Sequence, residues 1–349
     1  MRSARSAIAR LSALIGLAAC LVIAARAPAW AGPTIEAIKR NGVLTCGVNT
    51  GVAGFSLPDA QGHWTGFDVD MCRAVAAAVL GDANKVKFVP LSAQQRFTAL
   101  QTGEVDMLSA RSTWSLVRDA SLGLNFLTIV FYDGQSFMVP RKLGITQGKQ
   151  LAGATICTQT GTTSELNLAD YLRTNKLDAK TVVIEDRDGV EQAYFSGRCD
   201  AFSTDATSLA ATRAGRAGVA ASDHIILDER ISKEPLSPAV RHGDDEFFDV
   251  AKWCIFALIN AEEKGVGMQN VDAALASEDP EVKRLLGTTP GMGKALGLDE
   301  QWAYRIIKQV GNYGDIYARN LGPGTPLNLE RGPNALWSKG GLLYAPPIR

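Results

Sequence analysis

Side chains that could carry out chemistry are thinly spread along this chain. Its three histidines, His63, His224 and His242, stand far apart. A zinc site needs clustered ligands, and no two cysteines fall in C-x-x-C spacing. No metal and no cofactor is therefore expected. No G-x-S-x-G elbow marks a nucleophile, and no H-E-x-x-H marks a metalloprotease. The glycine-rich stretch 287–297 fails as a phosphate loop. Gly293-Lys294 is followed by Ala295, and the earlier glycine would fall at Thr288. It fails as a dinucleotide fingerprint too, because the glycine after Gly291-Met-Gly293 comes only at Gly297. The acids Asp68 and Asp70 sit where a helix should begin, and capping is the expected job there. Catalysis has little to stand on, so the chain is read as a binder and not an enzyme.

The elements that must position any site follow from composition and pattern. A chain of 349 residues suits two compact lobes better than one core, and 46% hydrophobic with 21% charged residues is ordinary for a globular protein. Residues 1–31 hold four of the 36 basic residues and no acid, which leaves 32 basic against 36 acidic residues in the rest. That balance argues against a nucleic-acid partner, which would need a basic face. The same 31 residues read as a signal peptide. Arginines precede an apolar run from Leu11 to Ala25, and Ala29-Trp30-Ala31 supplies small residues before Gly32. Leu17-Ala18-Ala19-Cys20 is an alternative lipoprotein site, but the apolar run continues past it. Export to the periplasm is expected, with cleavage after Ala31.

Beyond the leader, strand and helix patterns alternate. Strands are expected at Val43–Val48, Lys85–Pro90 and Val105–Ser109. Between them lie a helix opened by Asp68 and one opened by the capping-box pair Ser92 and Gln95. The second half repeats this: strands at Thr155–Gln159, Val182–Glu185 and Asp200–Ser203, helices at Thr162–Leu172 and Val190–Ser196. Gly103-Glu-Val-Asp106 and Gly197-Arg-Cys-Asp200 match in position, as two similarly built lobes would show. The alternation predicts an α/β fold with a helix-covered, mostly parallel sheet in each lobe. Two crossings, at Phe131–Pro140 and Pro235–Val240, link them. Lobe 1 is expected to comprise 32–133 and 238–349, and lobe 2 to comprise 134–237. Sequence alone leaves disulfide connectivity open. Pairing Cys46 with Cys72 and Cys157 with Cys199 is preferred because each pair falls within one lobe. Cys254 sits in an apolar helical run and reads as a small buried hydrophobe. The tail from Asn320 onward is expected to be ordered by docking.

Five segments resemble the family-3 bacterial extracellular solute-binding proteins. They are Gly66-Phe-Asp-Val-Asp70, Phe97 through Asp106, Ser112-Thr-Trp-Ser-Leu-Val-Arg118, Gln159 through Glu165, and Gly197 through Asp205. They occur in family order across roughly residues 40–260. Leu166-Asn-Leu-Ala-Asp-Tyr171, Ile231-Ser-Lys-Glu-Pro235, Trp302 through Lys308, Val310-Gly-Asn-Tyr-Gly314 and Tyr344 through Arg349 resemble the general L-amino-acid binders of polar amino-acid ABC importers.

The resemblance implies a type II two-lobe binding fold whose ligand, a free L-amino acid, lies between closing lobes. It implies membrane permease subunits as partners and a monomeric binder. Arg118 would clamp the ligand carboxylate, a task its planar fork suits, although a surface pair with Asp119 is the plainer use. Asp205 would accept from the ammonium, although it could instead cap the helix at Ala206. Thr163 would contact the carboxylate and Thr113 would bond from lobe 1. Ser112, Ser164 and Phe55 complete the expected set. Two departures stand out. Val52 replaces the stacking aromatic of binders for basic amino acids, and Ala110-Arg111 stands where the general binders carry Arg-Asn. Arg111 could reach an acidic side chain or face solvent. Broad specificity is expected. The alternative is an enzyme on the same scaffold, a dehydratase of a cyclic acid.

Overall fold

A computed structural model describes residues 32–215 and 221–349. The expected leader, its cleavage point and Cys20 lie outside the described residues.

Two five-stranded sheets organise the chain. In the first, strand Leu44–Asn49 pairs in parallel with Val86–Leu91 on one side and Met107–Leu108 on the other. Ala239–Arg241 then enters antiparallel, between Met107–Leu108 and Leu124–Phe126. In the second, Thr155–Gln159 pairs in parallel with Lys180–Ile184 and Ala201–Asp205. Gln135–Pro140 enters antiparallel beside Ala201–Asp205 and carries His224–Ile226 at the edge. Both sheets thus have four strands one way and one the other, as expected in being mostly parallel. The late-returning strand Ala239–Arg241 was not foreseen, because three residues carry no periodicity.

Helices cover both faces of each sheet. In the second sheet the pleat sends Phe137 and Val139 into one buried cluster with Leu168, and Met138 into another with Val190, Tyr194 and Leu209. In the first, Cys46, Val48 and Met107 join a core built with helices Phe67–Leu80, Asp245–Glu263 and Trp302–Val310, while Leu91, Leu108 and Phe126 pack with Leu100 on the opposite face. Cys46 bonds Cys72 and Cys157 bonds Cys199. Cys254 is fully buried in the first core.

Helix starts correct one expectation. Asp68 is not the cap: the helix begins at Phe67 behind Gly66, and Asp68 lies buried in its first turn. A side chain at Gly66 would place its Cβ 2.2 Å from the Phe55 carbonyl oxygen, at a φ of 134°. Thr162, in contrast, caps as expected by accepting from the Glu165 N–H at 3.3 Å.

Two connections cross between the sheets, Phe131–Asp133 and Glu234–Leu236, and they pair with each other as an antiparallel ribbon. The tail docks on this ribbon. Asn334 Oδ1 accepts from the Tyr132 N–H at 2.7 Å, and the Tyr132 hydroxyl donates to the Leu342 carbonyl at 3.2 Å.

Candidate functional site

The helix ends and strand ends of the two sheets face each other across a cleft enclosing about 560 Å³, including its open mouth. Four of the expected residues line it: Thr113, Thr163, Ser164 and Asp205. Three guanidinium groups line it as well, from Arg96, Arg111 and Arg187. The walls are close together. Thr113 Oγ1 and Thr163 Oγ1 are 3.3 Å apart, and a Cβ on Gly161 would sit 2.9 Å from the Gln94 side chain.

Asp205 ends strand Ala201–Asp205 and stands before helix Ala206–Gly215. Its carboxylate accepts from Arg111 Nη2 at 3.0 Å. The same nitrogen reaches Asp133, on the first crossing, at 3.3 Å. Arg111 therefore reaches acidic side chains, the first of its two readings. Its guanidinium also lies over the Phe55 ring, 4.1 Å from the centroid. Its backbone pays for this placement in strain, with φ at 50° where Asn is better tolerated. Burial, then the neighbouring Asp205 charge, raises the Asp133 carboxyl to about 6.

Arg118 is buried, but it is not among the residues lining the cleft. Its Nη1 donates to the Thr113 carbonyl at 3.0 Å, and the group lies over the Phe97 ring at 4.9 Å. Arg118 and Asp205, the two expected ligand anchors, are each met by a protein group here. Arg111, standing between the lobes, meets Asp205, and the Thr113 carbonyl meets Arg118. Burial lowers the Arg118 pKa, and Glu234 followed by Asp205 pulls it back up. Ser112 and Phe55 also lie off the cleft wall. The Ser112 hydroxyl is buried with no partner among the described residues, and Phe55 packs edge-on against Phe67 and Phe131. Ser164 Oγ meets Thr204 Oγ1 at 3.5 Å, and its carbonyl accepts from Gln135 Nε2 at 2.9 Å.

Sequence reasoning missed Arg96 and Glu234. Arg96 Nη1 donates to the Ala110 carbonyl at 2.9 Å, while its buried Nε has no partner among the described residues. Burial, and next the Arg118 charge, brings its pKa down to about 9. Arg111 Nη1 is likewise buried without a partner. Unmet donors on cations are costly unless an anion meets them. Glu234, on the second crossing, is 1% exposed and accepts from both Thr113 and Thr163. Its signal in sequence is its place in the Ile231-Ser-Lys-Glu-Pro235 segment, which gives no role to the glutamate.

Two lobes joined by a double crossing, with a charged cleft between them, define a solute-binding protein of the two-lobe class. Residues 44–266 match the model of the bacterial extracellular solute-binding proteins, family 3, and the chain belongs to that family. It is 52% identical to the general L-amino acid-binding periplasmic protein AapJ of Rhizobium johnstonii, over 97% of this chain and 98% of that protein. It is 48% identical to the glutamate/glutamine/aspartate/asparagine-binding protein BztA of Rhodobacter capsulatus, over 97% and 99%. Among solved structures, an ABC transporter periplasmic binding protein from Brucella ovis with glutathione bound superposes with a TM-score of 0.89. It is 52% identical, over 90% of this chain and 99% of that one. Among the described residues no helix is long and apolar enough to cross a membrane.

Proposed function

We propose that the protein captures free L-amino acids in the periplasm and delivers them to the permease subunits of an ABC importer, without turning them over. The observation that carries this reading is the polarity of the cleft. Asp205 supplies an acceptor on one side. On the other, Arg96 and Arg111 line the cleft and each keeps a guanidinium N–H group without a partner among the described residues. An α-amino acid carries one group for each. The unmet donors favour ligands with a further carboxylate or carboxamide, which fits the glutamate, glutamine, aspartate and asparagine bound by the Rhodobacter relative. Glutathione, held by the Brucella relative, ends in the same α-amino-acid head and belongs among the ligands to be tried. The Brucella relative is an ABC transporter periplasmic binding protein, which favours transport over the dehydratase alternative.

The lobes are 32–133 with 238–349, and 134–237, and the chain acts as a monomer that hinges at its paired crossings. Arg118 adds its charge to the carboxylate end and holds Thr113 in place. Two charge-assisted contacts at about 1.5–3 kcal/mol each supply a large part of the roughly 8 kcal/mol that micromolar affinity requires.

Isothermal titration with the twenty amino acids and glutathione tests this directly. Arg118→Ala is expected to weaken every amino acid that binds, by a similar factor of roughly ten or more. Loss confined to one side chain would remove Arg118 from the shared clamp. Heat from continuous turnover of a cyclic acid would revive the enzyme alternative.

A further inference from the structure

Glu234 is placed behind the cleft wall, not on it. Thr113 and Thr163 line the cleft, whereas Glu234 lines the neighbouring cavity on the hinge side with Asp133. Its Oε2 meets Thr113 Oγ1, and Thr163 Oγ1 at 2.9 Å. Its Oε1 accepts from Asn167 Nδ2 and Ser232 Oγ, each at 2.7 Å. These donors come from the first lobe, the second lobe and the crossing itself.

Counting protons shows what this does to the wall. An ionised carboxylate only accepts, and a threonine hydroxyl has one proton to give. Both threonine protons therefore go to Glu234. The 3.3 Å contact between the two hydroxyl oxygens carries no proton. What Thr113 and Thr163 turn toward the cleft is lone pairs. With Asp205 on the same cleft, these two threonines accept hydrogen bonds and have no hydroxyl proton of their own to offer.

We propose that Glu234 is a positioning residue that makes Thr113 and Thr163 acceptors for the ligand ammonium, and so selects amine-bearing ligands and fixes their orientation. This rests on the amino-acid reading above. It revises the role first expected of the Thr163 hydroxyl, which cannot donate to a ligand carboxylate while Glu234 holds its proton. An ammonium brings three donors, and the cleft offers two hydroxyl oxygens and the Asp205 carboxylate, which Arg111 also meets. A 2-oxo acid has a carboxylate for the guanidinium groups but no donor, and at the Thr113, Thr163 and Asp205 positions its keto oxygen would meet lone pairs and negative charge.

The test compares each amino acid with its own 2-oxo acid. L-Glutamate is paired with 2-oxoglutarate, and L-alanine with pyruvate, by titration calorimetry on the full mature chain. The wild type is expected to prefer the amino acid by about a hundredfold or more. In Glu234→Gln the new amide donates where the carboxylate accepted, so a threonine proton is released toward the cleft. The preference is expected to fall at least about tenfold, the effect of losing one charge-assisted contact. Thr163→Val removes one acceptor while leaving Glu234 itself and its Thr113, Asn167 and Ser232 donors in place, and should lower the same ratio. Glu234→Asp, which keeps the charge, should preserve it better than Glu234→Gln. Purely structural damage would weaken both ligands of a pair alike and leave the ratio in place. A ratio unchanged within about twofold in both Glu234→Gln and Thr163→Val would overturn this inference alone. A wild type that binds no amino acid of either pair, or of the twenty, would overturn it together with the amino-acid reading.

Discussion

Asp68 shows how a single carboxyl near the cleft is tuned. It is buried in the first turn of helix Phe67–Leu80, its Oδ1 faces the Ser109 hydroxyl at 3.5 Å, and its Oδ2 has no partner among the described residues. Burial raises its pKa to about 7, against an opposing pull from Arg111. The folded protein therefore holds this proton more tightly than the unfolded chain does. The group's contribution to stability is greatest below its unfolded value of 3.8 and falls as pH rises toward about 7. Asp68→Asn removes that slope. Relative to wild type, the variant is expected to gain ~2–3 kcal/mol between pH 5 and pH 8 in urea unfolding. A pH-independent difference would mean that Asp68 ionises freely. The glycine-rich stretch that failed as a phosphate loop also has its explanation at this scale. The N–H groups of Gly291, Gly293 and Lys294 donate to the Glu300 carboxylate at 2.9, 3.0 and 3.2 Å. The chain fills its own anion nest.

At the scale of elements, the matched Gly-x-x-Asp segments prove to be one device used twice. Gly103 and Gly197 both adopt φ of 80°, ending a helix. Asp106 then accepts from the Thr45 N–H at 2.9 Å, and Asp200 accepts from the Thr155 N–H at 2.8 Å. Each aspartate thus pins the first central strand of its sheet to the start of the next. Asp106→Ala and Asp200→Ala are each expected to cost about 1 kcal/mol, read as lowered urea midpoints. A midpoint unmoved in both would make the resemblance ornamental. The longest helix starts in a similar way. Asp244 accepts from the Phe247 N–H at 3.0 Å and also from the Thr34 N–H at 2.8 Å, joining two helices. Asp244→Ala should cost about 1–2 kcal/mol in the same measurement.

For the whole molecule, the question is what holds the lobes together. Arg111 joins lobe, crossing and opposite lobe through Asp133 and Asp205. Both its carboxylates are buried, and breaking a buried pair at one end leaves charge uncompensated. Arg111→Asn shortens the reach but suits the left-handed backbone at φ of 50°. With fluorophores on the two lobes, the ligand-free variant is expected to show a closed-to-open ratio at least about tenfold below wild type. Equal ratios would show that Arg111 does not bear on closure.

Periodicity and local chemistry made the alternating elements, the sheet class and the Thr162 cap legible, because those depend on residues within one turn or one strand of each other. Motif order also pointed to Thr113, Thr163 and Asp205. Three matters were settled only by the fold. The short returning strand Ala239–Arg241 takes its place from its neighbours and has no pattern of its own. Arg111 could have faced solvent or acid, and only the approach of the second lobe brings Asp205 within 3.0 Å. Glu234 lies more than 70 residues from Thr163 and further still from Thr113, so nothing local marks it as the acceptor of both protons. Sequence carries what each residue is able to exchange. Which proton meets which lone pair is decided by long-range packing, and in this cleft that choice sets the polarity of the wall.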